Sequence, residues 1–242
     1  MMCKIVDTTL RDGEQMAGLE LGFNDKIEFA KIIDRAEVYQ IEAGTPAMGG
    51  DEKKSIERLM TLGLKSKISA WNRMSITDID HSIDCGVDII HIAVPVSDIQ
   101  IKWKLRKDKI WVINEMKRSI YYAKAKGFQV VVGLEDASRT STDFLICVCK
   151  EIKALGVERV RYADTVGILY PEKTFRLLSQ IKQNIDVSIE FHAHNDFGMA
   201  VANSVAAVTA GAEFIDSTFA GIGERAGNCN YVKLMKALRS LR

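Results

Sequence analysis

Apolar residues in this chain recur in two alternating rhythms. Short runs rich in Val, Ile and Leu fall at residues 4–9, 40–44, 67–71, 88–94, 129–134, 159–164, 188–194 and 213–218. Most are apolar almost throughout, as expected of strands covered on both faces. Between them, apolar positions three and four apart mark amphipathic helices over 24–35, 51–62, 76–85, 110–126, 141–154, 171–184, 197–210 and 228–241. Asn24 is the expected N-cap of the first helix. Gly63, Gly86, Gly127, Gly156 and Gly211 stand just past five of them, where a left-handed stop favours glycine.

The pattern is eight strands and eight helices in strict alternation. A closed (β/α)8 barrel and a doubly wound open sheet both fit it. The length, 242 residues, matches the roughly 250 typical of the barrel. No Gly-x-Gly-x-x-Gly turn follows the first strand, so the TIM barrel is favoured. No Pro- or Ser-rich linker divides the chain, which predicts one α/β domain over residues 1–242.

Composition narrows the classes of partner. With 33 basic against 32 acidic side chains, no bulk field favours nucleic acid. No signal peptide and no apolar stretch of membrane-spanning length is seen, so a membrane role is not expected. Five scattered cysteines, an odd number, suit a reduced cytoplasmic protein. Cys147 and Cys149 form Cys-x-Cys in a helical stretch, where i and i+2 diverge, and read as packing residues rather than ligands.

Chemistry collects where a barrel places it, at the C-terminal strand ends. The seventh strand ends in His192-Ala193-His194-Asn195-Asp196, preceded by Glu190. Residues i and i+2 of a strand share a face, so two imidazoles lie side by side with the spacing of a metal site. Taken alone they also fit two surface histidines. The first strand runs into Asp7-Thr8-Thr9-Leu10-Arg11-Asp12-Gly13-Glu14-Gln15, and the second ends at Glu42. The third ends in Trp71-Asn72-Arg73, the fifth in Glu135-Asp136-Ala137-Ser138-Arg139 and the sixth in Asp164-Thr165. The eighth leads to Gly223-Glu224-Arg225-Ala226-Gly227-Asn228. Asp12, His192 and His194 offer one oxygen and two nitrogen donors and leave positions open for a chelating substrate. Arg11 is placed to stabilise an oxyanion. Each motif also has a plainer reading: Arg11-Asp12 as a surface ion pair, Asp164-Thr165 as a helix cap, and the glycine-rich loop as a flexible turn or a phosphate cradle without a Walker lysine. Their convergence on one rim favours the chemical reading.

The first-strand motif, the His-x-His and the Gly-Glu-Arg-Ala-Gly-Asn loop together resemble the Claisen-condensing acyltransferases: the isopropylmalate, homocitrate and citramalate synthases. These belong to a wider metal-dependent barrel superfamily that includes hydroxymethylglutaryl-CoA lyase. The resemblance spans essentially the whole chain, and the last loop is of the synthase rather than the lyase type. Pro95-Val96-Ser97-Asp98, the stretch from Lys104 to Trp111 and Glu135–Arg139 resemble the nitrogen-fixation branch of homocitrate synthases.

This resemblance implies a condensation of acetyl-CoA with an α-keto acid, 2-oxoglutarate in that branch, on a divalent metal (Mg, Mn, Zn, Fe or Co). It implies metal ligands at Asp12, His192 and His194 with Asn228 beside them. It implies a keto-acid contact at Arg11, a carboxylate contact at Thr165, and pocket positions at Gln15, Glu42, Arg73 and Glu135, with Glu135 and Arg11 in catalytic roles. Related homocitrate synthases carry an arginine on strand 5 where this chain has Val131, so Arg73 or Arg139 is expected to take over 2-oxoglutarate recognition. Family members continue past the barrel into C-terminal subdomains that cover the site, commonly a partner's, and supply a histidine and a tyrosine. This sequence has no histidine after His194. The expectation is a barrel subunit that works with a separate C-terminal polypeptide, or as a homo-oligomer. Alternatives are an isopropylmalate- or citramalate-forming activity, a metal-dependent aldolase or lyase, and a non-catalytic barrel.

Overall fold

A computed structural model of the chain describes residues 3–240. Eight parallel strands lie in sequence order: β1 (Lys4–Asp7), β2 (Gln40–Glu42), β3 (Lys67–Arg73), β4 (Ile89–Pro95), β5 (Gln129–Glu135), β6 (Arg159–Asp164), β7 (Ser188–Ala193) and β8 (Phe214–Ser217). β1 pairs with β8 from Lys4↔Phe214 to Asp7↔Ser217, which closes the barrel. An open sheet would leave those two edges unpaired, so the doubly wound alternative falls.

Eight helices surround the strands: α1 (Phe23–Arg35), α2 (Gly50–Met60), α3 (Ile76–Cys85), α4 (Lys109–Ala125), α5 (Thr142–Ala154), α6 (Pro171–Asn184), α7 (Ala200–Thr209) and α8 (Tyr231–Ser240). Ile41, Ile68, Ile90, Val132 and Ile189 on the strands share one apolar cluster with Ile56, Ile79, Met116, Val148 and Ile181 on the helices. Burying such side chains stabilises each by about 1.5–3 kcal/mol, before chain entropy is counted. Among the described residues no helix is long and apolar enough to cross a membrane.

The inner face of the barrel is different. Arg159 on β6 reaches across to Gln40 on β2, at 2.6 Å. Arg161, two residues on, meets Glu42 on β2, Glu190 on β7 and Asp216 on β8. The barrel is therefore filled by cross-linked charges, while its apolar core lies outside, under the helices.

Several boundaries differ from the sequence reading. The first helix starts at Phe23, because Gly22 N–H donates to Asp25 Oδ2 at 2.9 Å; Asn24 sits inside the first turn. The seventh starts at Ala200, whose N–H donates to Asn195 Oδ1 at 3.2 Å, leaving Phe197 in a turn. The eighth starts at Tyr231, which leaves Asn228 in a loop; Leu241, expected to end it, lies outside the described residues. Cys149 packs in the core, but Cys147 faces solvent, since two helical positions two apart lie on opposite sides. All five cysteines are free.

Candidate active site and metal centre

A cavity of about 320 Å³ opens at the C-terminal end of the barrel. Its lining includes Arg11, Asp12, Gln15, His192, His194 and Thr165. His192 Nε2 lies 3.0 Å from Asp12 Oδ2 and 3.2 Å from His194 Nε2, and His194 Nε2 is 3.9 Å from Asp12 Oδ2. All three residues are buried. Their donor atoms lie within 4.8 Å of one another, a grouping that fits a metal ion.

The surroundings prepare these groups. Asp216 on β8 sits 3.0 Å from His192 Nδ1, which fixes the proton there and turns Nε2 toward Asp12. Burial disfavours a charge on Asp12, yet Arg11 above all, followed by His192, holds its carboxyl well below the usual range. Burial also opposes a cation on His192, but Asp12 and Asp216 raise its pKa to about 9. Burial and then the His192 charge lower His194 to about 3. One proton on His192 thus stands where three donors converge. Asp12 Oδ1 and Asn228 Oδ1 are buried without a hydrogen-bond partner. Beneath the three donors the carboxylates of Glu42, Glu190 and Asp216 are interleaved with the guanidiniums of Arg11, Arg159 and Arg161. One carboxylate and two imidazole nitrogens form a mixed oxygen and nitrogen donor set suited to a divalent transition metal.

Arg11 is held by Glu42 Oε2 at 2.7 Å and Asp12 Oδ2 at 3.2 Å, with its side chain 13% exposed toward the cavity. The two carboxylates lock the guanidinium plane. Thr165 Oγ1 accepts from the Asp136 N–H at 2.9 Å, so its own hydroxyl proton is free to donate into the cavity. Glu135 lines the wall with Lys104 at 3.3 Å, and Gln15 lies at the exposed edge. Asn228 is bridged to His194, and its amide donates to Ile222 O at 3.0 Å. Gly223 lets this loop close: its φ is +154°, and a Cβ there would collide with Asn228 Nδ2. The loop is thus a tight brace for Asn228. Arg225 fastens it further, to Asp196 at 2.8 Å and to Thr165 O at 2.8 Å.

Some expected residues lie elsewhere. Arg73 is exposed and forked onto Asp78, at 2.7 and 2.8 Å, outside the cavity lining. Arg139 is likewise tied to Asp136. Glu190 serves Arg161 and Arg159, while Asn195 and Asp196 fold the loop after β7; none of the three joins the metal cluster. Asp164 accepts from the N–H groups of Ile168 and Leu169 and shapes the β6–α6 loop, whereas α6 is capped at Tyr170.

His91, Arg161 and Asp216 were not found from sequence. His91 lines the cavity with Nδ1 at 2.6 Å from Glu42 Oε1. Glu42 is kept ionised, well below its usual pKa, by Arg11 and then Arg161, against the pull of burial. Burial, then Arg161, pushes His91 down to about 4, so it is neutral with the proton on Nδ1 and a lone pair on Nε2. Nε2 lies over Gly133, where a Cβ would collide with it, and it has no partner. The available signal was polar residues set among apolar strand neighbours: His91 in Ile89-Ile90-His91-Ile92, Arg161 two residues after Arg159 in Arg159-Val160-Arg161-Tyr162, and Asp216 after Phe214-Ile215.

Comparison with known proteins gives the same direction. The HMGL-like family model matches residues 2–242. Homocitrate synthase subunit alpha of Clostridium pasteurianum is 58% identical over 241 residues, covering 100% of this chain and 90% of that one. A 2-isopropylmalate synthase of Caldanaerobacter subterraneus is 47% identical, over 97% of this chain but 61% of its own length. The crystal structure of the Bacillus subtilis HMG-CoA lyase superposes with a TM-score of 0.87 over 99% of this chain and 86% of that one, at 16% identity, and so speaks for the fold alone. With the barrel, the motifs and these matches in agreement, the chain belongs to the HMGL-like family.

Proposed function

We propose that the protein is a metal-dependent acyltransferase that condenses acetyl-CoA with an α-keto acid, 2-oxoglutarate, to give homocitrate. The observation that carries this reading is the meeting of Asp12, His192 and His194 with Arg11 at one cavity. Asp12, His192 and His194 would hold the metal, with Asn228 beside them. A bound divalent ion would supply Lewis-acid polarisation of the keto acid's carbonyl. The protein groups do the rest. The Thr165 hydroxyl donates to the substrate carboxylate. Arg11, immobilised by Glu42 and Asp12, donates to the oxygen that becomes an alkoxide as the new C–C bond forms. Glu135 and neutral His91 are proton acceptors on the wall for the acetyl methyl, a weak acid whose enolate needs nearby positive charge. Hydrolysis of the thioester then releases free thiol.

The polar floor, built from Arg161, His91 and Glu42, suits a keto acid with a polar tail. It would leave these groups unsolvated against a branched aliphatic one. The subunit name of the clostridial relative supports a partner polypeptide.

Thiol release from acetyl-CoA across a panel of keto acids tests the reading, run with and without a polypeptide carrying the family's C-terminal region. The expected result is metal-dependent release, greatest with 2-oxoglutarate and increased by the partner. Cleavage of a hydroxy-keto acid without any need for CoA would point to an aldolase instead.

A further inference from the structure

The βα loops form the rim of the cavity, and most charges on it are neutralised locally. Arg73 pairs with Asp78, Arg139 with Asp136, and Arg225 with Asp196 and Glu224. The loop between β4 and α4 differs. It carries Lys102, Lys104, Arg106 and Lys107, with Lys109 opening α4, against two acids, Asp98 and Asp108. Lys104 reaches Glu135 and Lys109 reaches Asp98. Asp108 is spent on capping α4, accepting from Trp111 N–H at 2.7 Å. Among the described residues Lys102, Arg106 and Lys107 form no ion pair; Lys102 lies over the Trp103 ring and Lys107 over Trp111.

The backbone of this loop is also unusual. Gln100–Leu105 form a π-helical turn that ends at Arg106, a residue with a side chain held at φ 56°. Both features cost energy and are found preferentially at functional sites. Trp103 stands 72% exposed on the turn. Gln100 and Lys104 of the same turn line the cavity. The turn is thus cavity wall on one side and a basic, aromatic ledge on the other.

We propose that this ledge seats the phosphorylated adenosine end of the acyl-CoA. Lys102, Arg106 and Lys107 take the diphosphate and the 3′-phosphate, and Trp103 stacks on the adenine. The proposal rests on the acyl-CoA reading above. A cavity of about 320 Å³ has room for a keto acid and a thioester end, not for a whole coenzyme. The nucleotide must therefore lie on the rim, and the rim's unpaired positive charge is on this arc. Flat bases stack on exposed indoles, and phosphates are held by lysine and arginine.

The test is calorimetric binding of coenzyme A, adenosine 3′,5′-bisphosphate and pantetheine to the wild-type protein and to a K102E/R106E/K107E variant. The wild type is expected to bind the first two, more weakly at high salt. The variant is expected to lose at least about tenfold in affinity for both, with pantetheine unchanged as a check that the cavity is intact. Trp103→Ala should weaken adenosine bisphosphate binding and remove its quenching of indole fluorescence. Equal binding of coenzyme A by the variant and the wild type, or pantetheine binding as tightly as coenzyme A, would overturn the site. The two proposals fail separately. Keto-acid-dependent thiol release with an acetyl-CoA KM indifferent to the triple change refutes the ledge alone. Coenzyme A bound at the ledge without thiol release for any keto acid refutes the condensation alone.

Discussion

At the scale of single residues, the site is a set of charges that hold one another in place. Asp12 is ionised because Arg11 and His192 face it, and His192 is oriented because Asp216 accepts from its other nitrogen. His194→Ala should abolish tight metal binding, seen in metal content after dialysis. Asp216→Asn should weaken metal binding about 10–100-fold in an equilibrium titration while leaving the three ligands present. Arg11→Lys should lower kcat about a hundredfold or more, because an ammonium cannot fork onto Glu42 and Asp12 and still point a donor at the substrate. Asp7 gives a prediction for pH. Burial raises its pKa from 3.8 to about 7, with Asp216 adding to the rise. The folded state therefore keeps a proton that the unfolded chain loses over this window, and stability falls as pH climbs through it. Asp7→Asn should leave the melting temperature near pH 4 unchanged and raise stability by about 1–3 kcal/mol near pH 8. The candidate ligands were legible in sequence because a His-x-His and an Arg-Asp at strand ends are chemically unusual. His91 and Arg161 were not. Their partner Glu42 lies 49 and 119 residues away, and only the closed barrel brings them together.

At the scale of elements, strands and loops divide the labour. All eight strands and all eight helices were readable from hydrophobic rhythm, since each strand packs apolar residues against the helices and a surface helix must be striped. The ends were less legible, because they are set by local hydrogen bonds such as Gly22 to Asp25 and Ala200 to Asn195. The glycines after β8 also fitted a plain flexible turn, yet they let the loop fold tightly around Asn228. Gly223→Ala should cost about 1–3 kcal/mol in thermal denaturation and disturb Asn228, because a side chain there meets both a positive φ and the Asn228 amide. Gly133→Ala should likewise push His91 away from Glu42, lowering activity more than stability.

At the scale of the whole molecule, closure of β8 on β1 brings the first-strand Arg11-Asp12 beside the His-x-His of β7, residues separated by most of the chain. The barrel thereby brings the candidate ligands together with Arg11, Thr165, Glu135 and His91 at one open mouth. The grouped donors of Asp12, His192 and His194 make that mouth a candidate place for a divalent cation. The expectation of Arg73 or Arg139 as a substrate cation came from the resemblance and the Val131 departure; in the fold Arg73 pairs with Asp78 and Arg139 with Asp136, outside the cavity lining. The most direct measurement supplies acetyl-CoA labelled at its methyl carbon, together with 2-oxoglutarate, to the metal-loaded protein and a polypeptide carrying the C-terminal region, and identifies the product by NMR. Labelled homocitrate that disappears on chelation and returns on adding metal is the expected result. Failure to form any labelled carbon–carbon product from 2-oxoglutarate, with metal bound at Asp12, His192 and His194, would contradict it.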